Sequence, residues 1–102
     1  MKLNLTTDIV YQTDSIVSKT ILKNDGGNIT LFAFDKEQGL SEHTAPFNAT
    51  FYCVDGKFKV TVGKEEHELI NEDLIILPAN IPHAVMALTP AKCLLIMIKA
   101  KG

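Results

Sequence analysis

Few side chains in this sequence are equipped for chemistry near neutral pH: His43, His67 and His83, and the two cysteines Cys53 and Cys93. His67 lies in EEHELI among three glutamates, where a solvated strand face is its expected home. Cys53 and Cys93 sit in the apolar runs FYCV and KCLLIMI, where a reduced cysteine acts as a small hydrophobe, and no disulfide between them is expected. Thiolate catalysis at Cys53 is not expected either, because no helix N-terminus or neighbouring cation is there to lower its pKa. Gly26-Gly27 reads as a turn, since no lysine-hydroxyl pair or helix follows to make a phosphate loop. All ten cations are lysines, so the chain lacks the planar fork that grips phosphate or carboxylate bidentately. Lys57, Lys59 and Lys64 read as solubility and edge protection on an exposed hairpin face.

The elements that must position these groups are strands. A chain of 102 residues, 46% hydrophobic and 22% charged, is one compact domain, and at this size roughly 65% of the unfolded surface is buried without help from staples. Ten basic against twelve acidic residues give a net charge of −2, which offers no field for nucleic acid or an anionic membrane surface, and neither partner is expected. The first residues lack a signal-peptide apolar stretch and no run approaches the ~20 residues of a membrane helix, so a cytoplasmic location is expected.

ATFYCV, Asp55-Gly56 and KFKVTV read as a hairpin on a type I′ turn, with Phe58, Val60 and Val62 alternating against polar neighbours. EEHELI follows Gly63-Lys64, LIIL runs to Pro78, and another strand spans His83 to Leu88. Pro78 and Pro82 bracket a rigid segment, and Thr89-Pro90 turns the chain into CLLIMIK, whose brevity and isoleucines favour a core strand over a helix. Upstream, SIVSKTIL and NITLFAF flank Asn24-Asp25-Gly26-Gly27 as a second hairpin, and the polar loop DKEQGL is placed to rim a pocket. About eight strands at this spacing predict an all-β sandwich or barrel.

The segments Gly39–Gly56 (GLSEHTAPFNATFYCVDG) and Glu72–Ala87 (EDLIILPANIPHAVMA) resemble the two motifs of the cupin superfamily. Gly39 and Gly56 match the first motif, with His43 within one residue of its leading His, and Pro78 and His83 match the second. The first motif's second His and its Glu fall at Ala45 and Ala49; the second motif's two glycines and closing Asn fall at Glu72, Asn80 and Ala87. The resemblance implies a single-domain jelly-roll β-barrel over residues 1–102 and, commonly, a homodimer. Of the four family metal ligands, His43 and His83 survive. Asn48, adjacent to the missing Glu position, has the wrong parity to replace it, and Glu42, beside His43, has the same parity problem unless the strand begins irregularly. His43 and His83 then become polar anchors for a small molecule, with Phe47 at the rim and Phe51, Cys53 and Val85 sharing the cup by parity; the two alanines leave it extra volume. The alternative is a metal-dependent cupin enzyme of dioxygenase or isomerase type, holding a divalent transition metal weakly on His43 and His83. A dimeric interaction scaffold with a filled barrel is the third reading.

Overall fold

The structure is a computed structural model that describes residues 1–100. Its regular elements are nine strands: β1 Ile16–Asn24, β2 Gly27–Phe34, β3 Gly39–His43, β4 Phe47–Asp55, β5 Phe58–Val62, β6 Glu65–Leu69, β7 Leu74–Leu77, β8 His83–Ala87 and β9 Ala91–Lys99. They form a five-stranded sheet in the order β1-β2-β9-β4-β7 and a four-stranded sheet in the order β3-β8-β5-β6, all neighbours antiparallel. Alternation places Phe51 and Cys53 of β4, Phe58 and Val60 of β5, and Val85 and Ala87 of β8 in one core between the sheets. This is the expected all-β jelly roll. No helix among the described residues is long and apolar enough to cross a membrane.

Two expectations are corrected. The strand count rises to nine because Gly39–His43, half of it read as loop, forms β3. More consequentially, Asp55-Gly56 is not a hairpin turn: β4 bonds to β7 and β9, whereas β5 bonds to β6 and β8 in the facing sheet. Only Gly56 of the pair has a positive φ, 80°, so the type I′ turn, which needs two, does not form. Both edges of β4 are already bonded, and an irregularity between Cys53 and Asp55 turns the chain across to the other sheet. Period-2 alternation reports which side chains face inward; a hairpin and a corner between facing sheets give the same pattern. The turns at Asn24–Gly27 and Gly63-Lys64 do join paired strands.

Residues 1–15 carry no strand and lie on the outer face of the larger sheet, where Ile9 packs with Leu31 and Ala33. Lys92, 8% exposed on that face, donates from Nζ to the Thr6 carbonyl and lies 4.9 Å from the centre of the Tyr11 ring. Burial and the Asp55 carboxylate push the Tyr11 phenol up to about 12. Glu72 and Asn80, standing where the cupin motif has glycine, keep left-handed φ values of 73° and 64°. The backbone conformation persists where the glycine does not.

Candidate functional site

The two candidate histidines face each other across one antiparallel pair. His43, the last residue of β3, is register partner to His83, the first of β8, and their rings lie 4.4 Å apart at 68°. This juxtaposition depends on a bulge. Leu40 pairs with Val85 and His43 with His83, so three steps on β3 match two on β8. Without the extra residue, Glu42 would share the inward parity of Leu40; with it, Leu40 and His43 line the same cavity and Glu42 stays exposed.

Each imidazole is oriented by its own strand. His43 Nδ1 donates to the Ser41 carbonyl at 2.8 Å and His83 Nδ1 to the Ile81 carbonyl at 3.2 Å. In the neutral ring this fixes the tautomer and leaves Nε2 of both as lone-pair acceptors. The loop before β8 is itself pinned: Asn80 N–H donates to the Ala45 carbonyl at 2.9 Å, and Ala79 N–H to Asn48 Oδ1 at 3.0 Å. Asn48 thus spends its side chain on the loop and faces away from the pair, as its parity required. Burial, with an added push from His43, outweighs the Ile81 hydrogen bond and holds His83 below the ordinary imidazole value of 6.5.

A pH dependence of stability follows. The unfolded chain takes up the His83 proton before the folded chain does, so the stability present above about pH 6.5 falls as pH drops through the depressed folded value. Asp35, lowered by amide hydrogen bonds from Asp14 and Lys36, loses its contribution only in the more acidic carboxylate range. Thermal melts at stepped pH should show the earlier fall in the native chain and lose it in His83→Gln; an unchanged profile in the variant would contradict the assignment.

Behind the rings lies a cavity of about 30 Å³, lined by His43, His83, Phe51, Val85, Leu40 and Cys93, among others. That is room for about one water. The extra volume expected beside Ala45 and Ala49 is therefore absent: Phe34, Phe51 and Phe58 fill the barrel, and Ala49 is part of the packed core. Of the residues grouped by parity, His43, Phe51, His83 and Val85 meet at this cavity, whereas Phe47 and Cys53 lie outside its wall. Phe47 is half-buried at the start of β4; Cys53 sits deeper, with Sγ directed at the Asp55 and Gly56 carbonyls. Cys93, not assigned to the cup from sequence, does line it. Its position follows from β9 lying beside β4, where Cys93 pairs with Cys53.

Both cysteines are free and buried. Burial, reinforced by Asp73 and Asp55, pushes the Cys53 thiol up to about 11, and burial with Cys53 nearby raises Cys93 well above its ordinary value. Neither has the character of a nucleophile. His67 is on β6, the far edge of the smaller sheet from β3, with Nε2 3.4 Å from Glu65. The DKEQGL loop rims a different and larger feature, an open groove of about 560 Å³ on the outer face of the smaller sheet, bounded by Glu37, Gln38, Ser41, Lys59 and Met86.

The cupin domain profile matches residues 30–99, which holds both histidines, strands β3 to β9 and most of β2. The chain belongs to the cupin family. Solved structures agree in fold. A conserved protein of unknown function from Streptococcus pyogenes superposes with a TM-score of 0.93 at 28% identity, covering 100% of this chain and 90% of that one. A cupin superfamily protein from Desulfitobacterium hafniense gives 0.92 at 23%, covering 98% and 92%. A cupin 2 conserved barrel domain protein from Leptotrichia buccalis gives 0.90 at 37%, covering 95% of this chain and 47% of that one. No curated protein matches the chain.

The cupin metal does not fit this donor set. A catalytic transition-metal site takes three or more protein ligands. Here two imidazoles face one another, Ala45, Ala49 and Ala87 bring no donor, and no group of three His, Cys, Asp or Glu is assembled among the described residues.

Proposed function

We propose that this cupin binds a small, neutral molecule bearing two or more hydroxyls at the barrel mouth, with one hydroxyl donating to Nε2 of His43 and another to Nε2 of His83. The observation that carries this reading is the ring pair itself: both Nδ1 atoms are committed to backbone carbonyls, leaving two adjacent imidazoles whose remaining nitrogens accept. Two acceptors call for two donors. The absence of arginine, together with a His83 held neutral, disfavours an anion. A pocket of about 30 Å³ admits a single hydroxyl or water and leaves the rest of the ligand at the mouth, beside the exposed face of His43.

The test is titration of neutral polyols and monosaccharides against untagged protein, followed by ligand-observed NMR. His43→Ala should weaken binding about five- to tenfold, the worth of one hydrogen bond, with the melting temperature nearly unchanged because the residue is exposed. A large loss of stability would make the histidine structural. Elemental analysis of the same preparation should give well below one transition-metal ion per chain; a stoichiometric ion would favour the metal-dependent dioxygenase or isomerase reading.

A further inference from the structure

The open groove of about 560 Å³ on the outer face of the four-stranded sheet has the size of a small-molecule site. It lies on the opposite side of β3 and β8 from the cavity behind His43 and His83. Strand register sets its plan. Gly39 pairs with Met86 and Met86 with Lys59, and the next outward-facing row of β8 and β5 pairs Ala84 with Thr61. β8 is therefore the floor, β5 gives Lys59 and Thr61 to one wall, and β3 with the loop before it gives Glu37, Gln38 and Ser41 to the other. The trough stays open because Gly39 has no side chain and Ala84 a single methyl. Met86 lies over Gly39, its Cε 3.3 Å from where a Gly39 Cβ would stand, and makes that end of the floor apolar.

The loop wall is fixed before any ligand arrives. Glu37 N–H donates to the Ala87 carbonyl at 2.8 Å, Ala87 N–H to the Gln38 carbonyl at 2.9 Å, and Gln38 N–H to the Asp35 carbonyl at 3.1 Å. The charges on the two walls are unspent. Among the described residues the ion pairs are Lys57 with Glu68 and His67 with Glu65. Lys59, half-buried and register partner of Glu68, is left without a carboxylate, and Glu37 without a cation.

We propose that this groove binds a free α-amino acid with an uncharged polar side chain. Its carboxylate meets the Lys59 ammonium, its ammonium meets the Glu37 carboxylate, and its side chain runs over Ala84 to the hydroxyls of Ser41 and Thr61. Charge balance selects the zwitterion: one cation and one anion on facing walls suit a ligand that carries both, whereas a ligand of one sign must face its like. The width agrees. β3 and β5 are two strand spacings apart, about 10 Å, which one amino acid bridges with a hydrogen bond of ~2.9 Å at either end. Ion contacts open to solvent on one side contribute little each, so affinity in the millimolar range is expected.

The test is an amide-detected NMR titration of the full chain with L-glutamine, which should shift the resonances of Gly39, Lys59, Thr61 and Ala84. N-acetyl-L-glutamine, which lacks the ammonium, and L-glutaminamide, which lacks the carboxylate, should each bind about tenfold more weakly, the worth of one hydrogen bond to a charged group. Lys59→Gln should weaken L-glutamine by the same factor and erase its advantage over L-glutaminamide; Glu37→Gln should erase its advantage over the N-acetyl form. Lys57→Gln, whose native partner is Glu68, should bind as the wild type does. Circular dichroism checks that each variant is folded. No shift at millimolar L-glutamine, or derivatives that bind as well as the amino acid, would overturn the proposal. Affinity unchanged in both Lys59→Gln and Glu37→Gln would overturn it by placing the amino acid elsewhere, and equal binding of L-leucine would overturn the polar side-chain assignment.

Discussion

Phe58→Ala should lower stability by about 4 kcal/mol, within the range for truncating a fully buried aromatic ring. Phe58 has no exposed surface and is the hinge of the barrel's aromatic packing, with its ring 5.3 Å from Phe34 at 87° and 5.0 Å from Phe51 at 89°. Both contacts are edge-to-face, the geometry in which a positive ring edge meets a negative ring face. They also join the two sheets, because Phe34 and Phe51 lie on the larger one and Phe58 on the smaller. Set against the 5–15 kcal/mol typical of a domain, the loss is large, and for about 100 residues it corresponds to a fall in melting temperature of roughly 15–30 °C. Urea and thermal unfolding measure it directly. Phe47→Ala, at a half-buried position outside this cluster, should cost far less; equal losses at the two sites would show that the aromatic contacts between the sheets add nothing.

Gly56→Ala should cost about 3 kcal/mol or more, although it adds one methyl group. The residue has φ 80°, where an L side chain is strained. Its Cβ would also sit on the Pro90 carbonyl oxygen and 2.8 Å from Ala91 Cα, both backbone atoms that cannot swing aside. The clash falls where the chain passes from β4 in one sheet to β5 in the other, so relief by local movement would disturb both sheets. Gly26→Ala is the internal comparison: its Cβ meets only the Asn24 side chain at 3.3 Å and its φ is not positive, so a small effect is expected. If Gly56→Ala unfolds at the same urea concentration as the native chain, the corner has slack that the contacts deny.

Much of the architecture is legible in particular residues. Asn24–Gly27 and Gly63-Lys64 announce hairpins that form, and CLLIMIK is a core strand whose inward Cys93, Leu95 and Met97 alternate with Leu94 and Ile96 on the outer face. The continuous apolar run therefore combines a core face with an outer face that the N-terminal segment covers in part. Asp55-Gly56 shows the opposite case, a strong hairpin signal spent on a crossover. At the site, the motif spacing singled out His43 and His83, but strand parity placed Cys53 in the cup where the fold puts Cys93. It also implied a roomier barrel than three phenylalanines leave.

What the sequence determined by itself was the set of inward-facing side chains, the strand class and the thinness of the donor set, because side-chain parity and residue chemistry are local properties of the chain. Which strand bonds to which, and on which side of a bulge a residue falls, are settled only when distant segments compete for the same backbone hydrogen bonds. The pairing of β3 with β8 is such an outcome. It brings His43 against His83 across forty residues and, through one extra residue on β3, sets an imidazole rather than the Glu42 carboxylate at the barrel mouth.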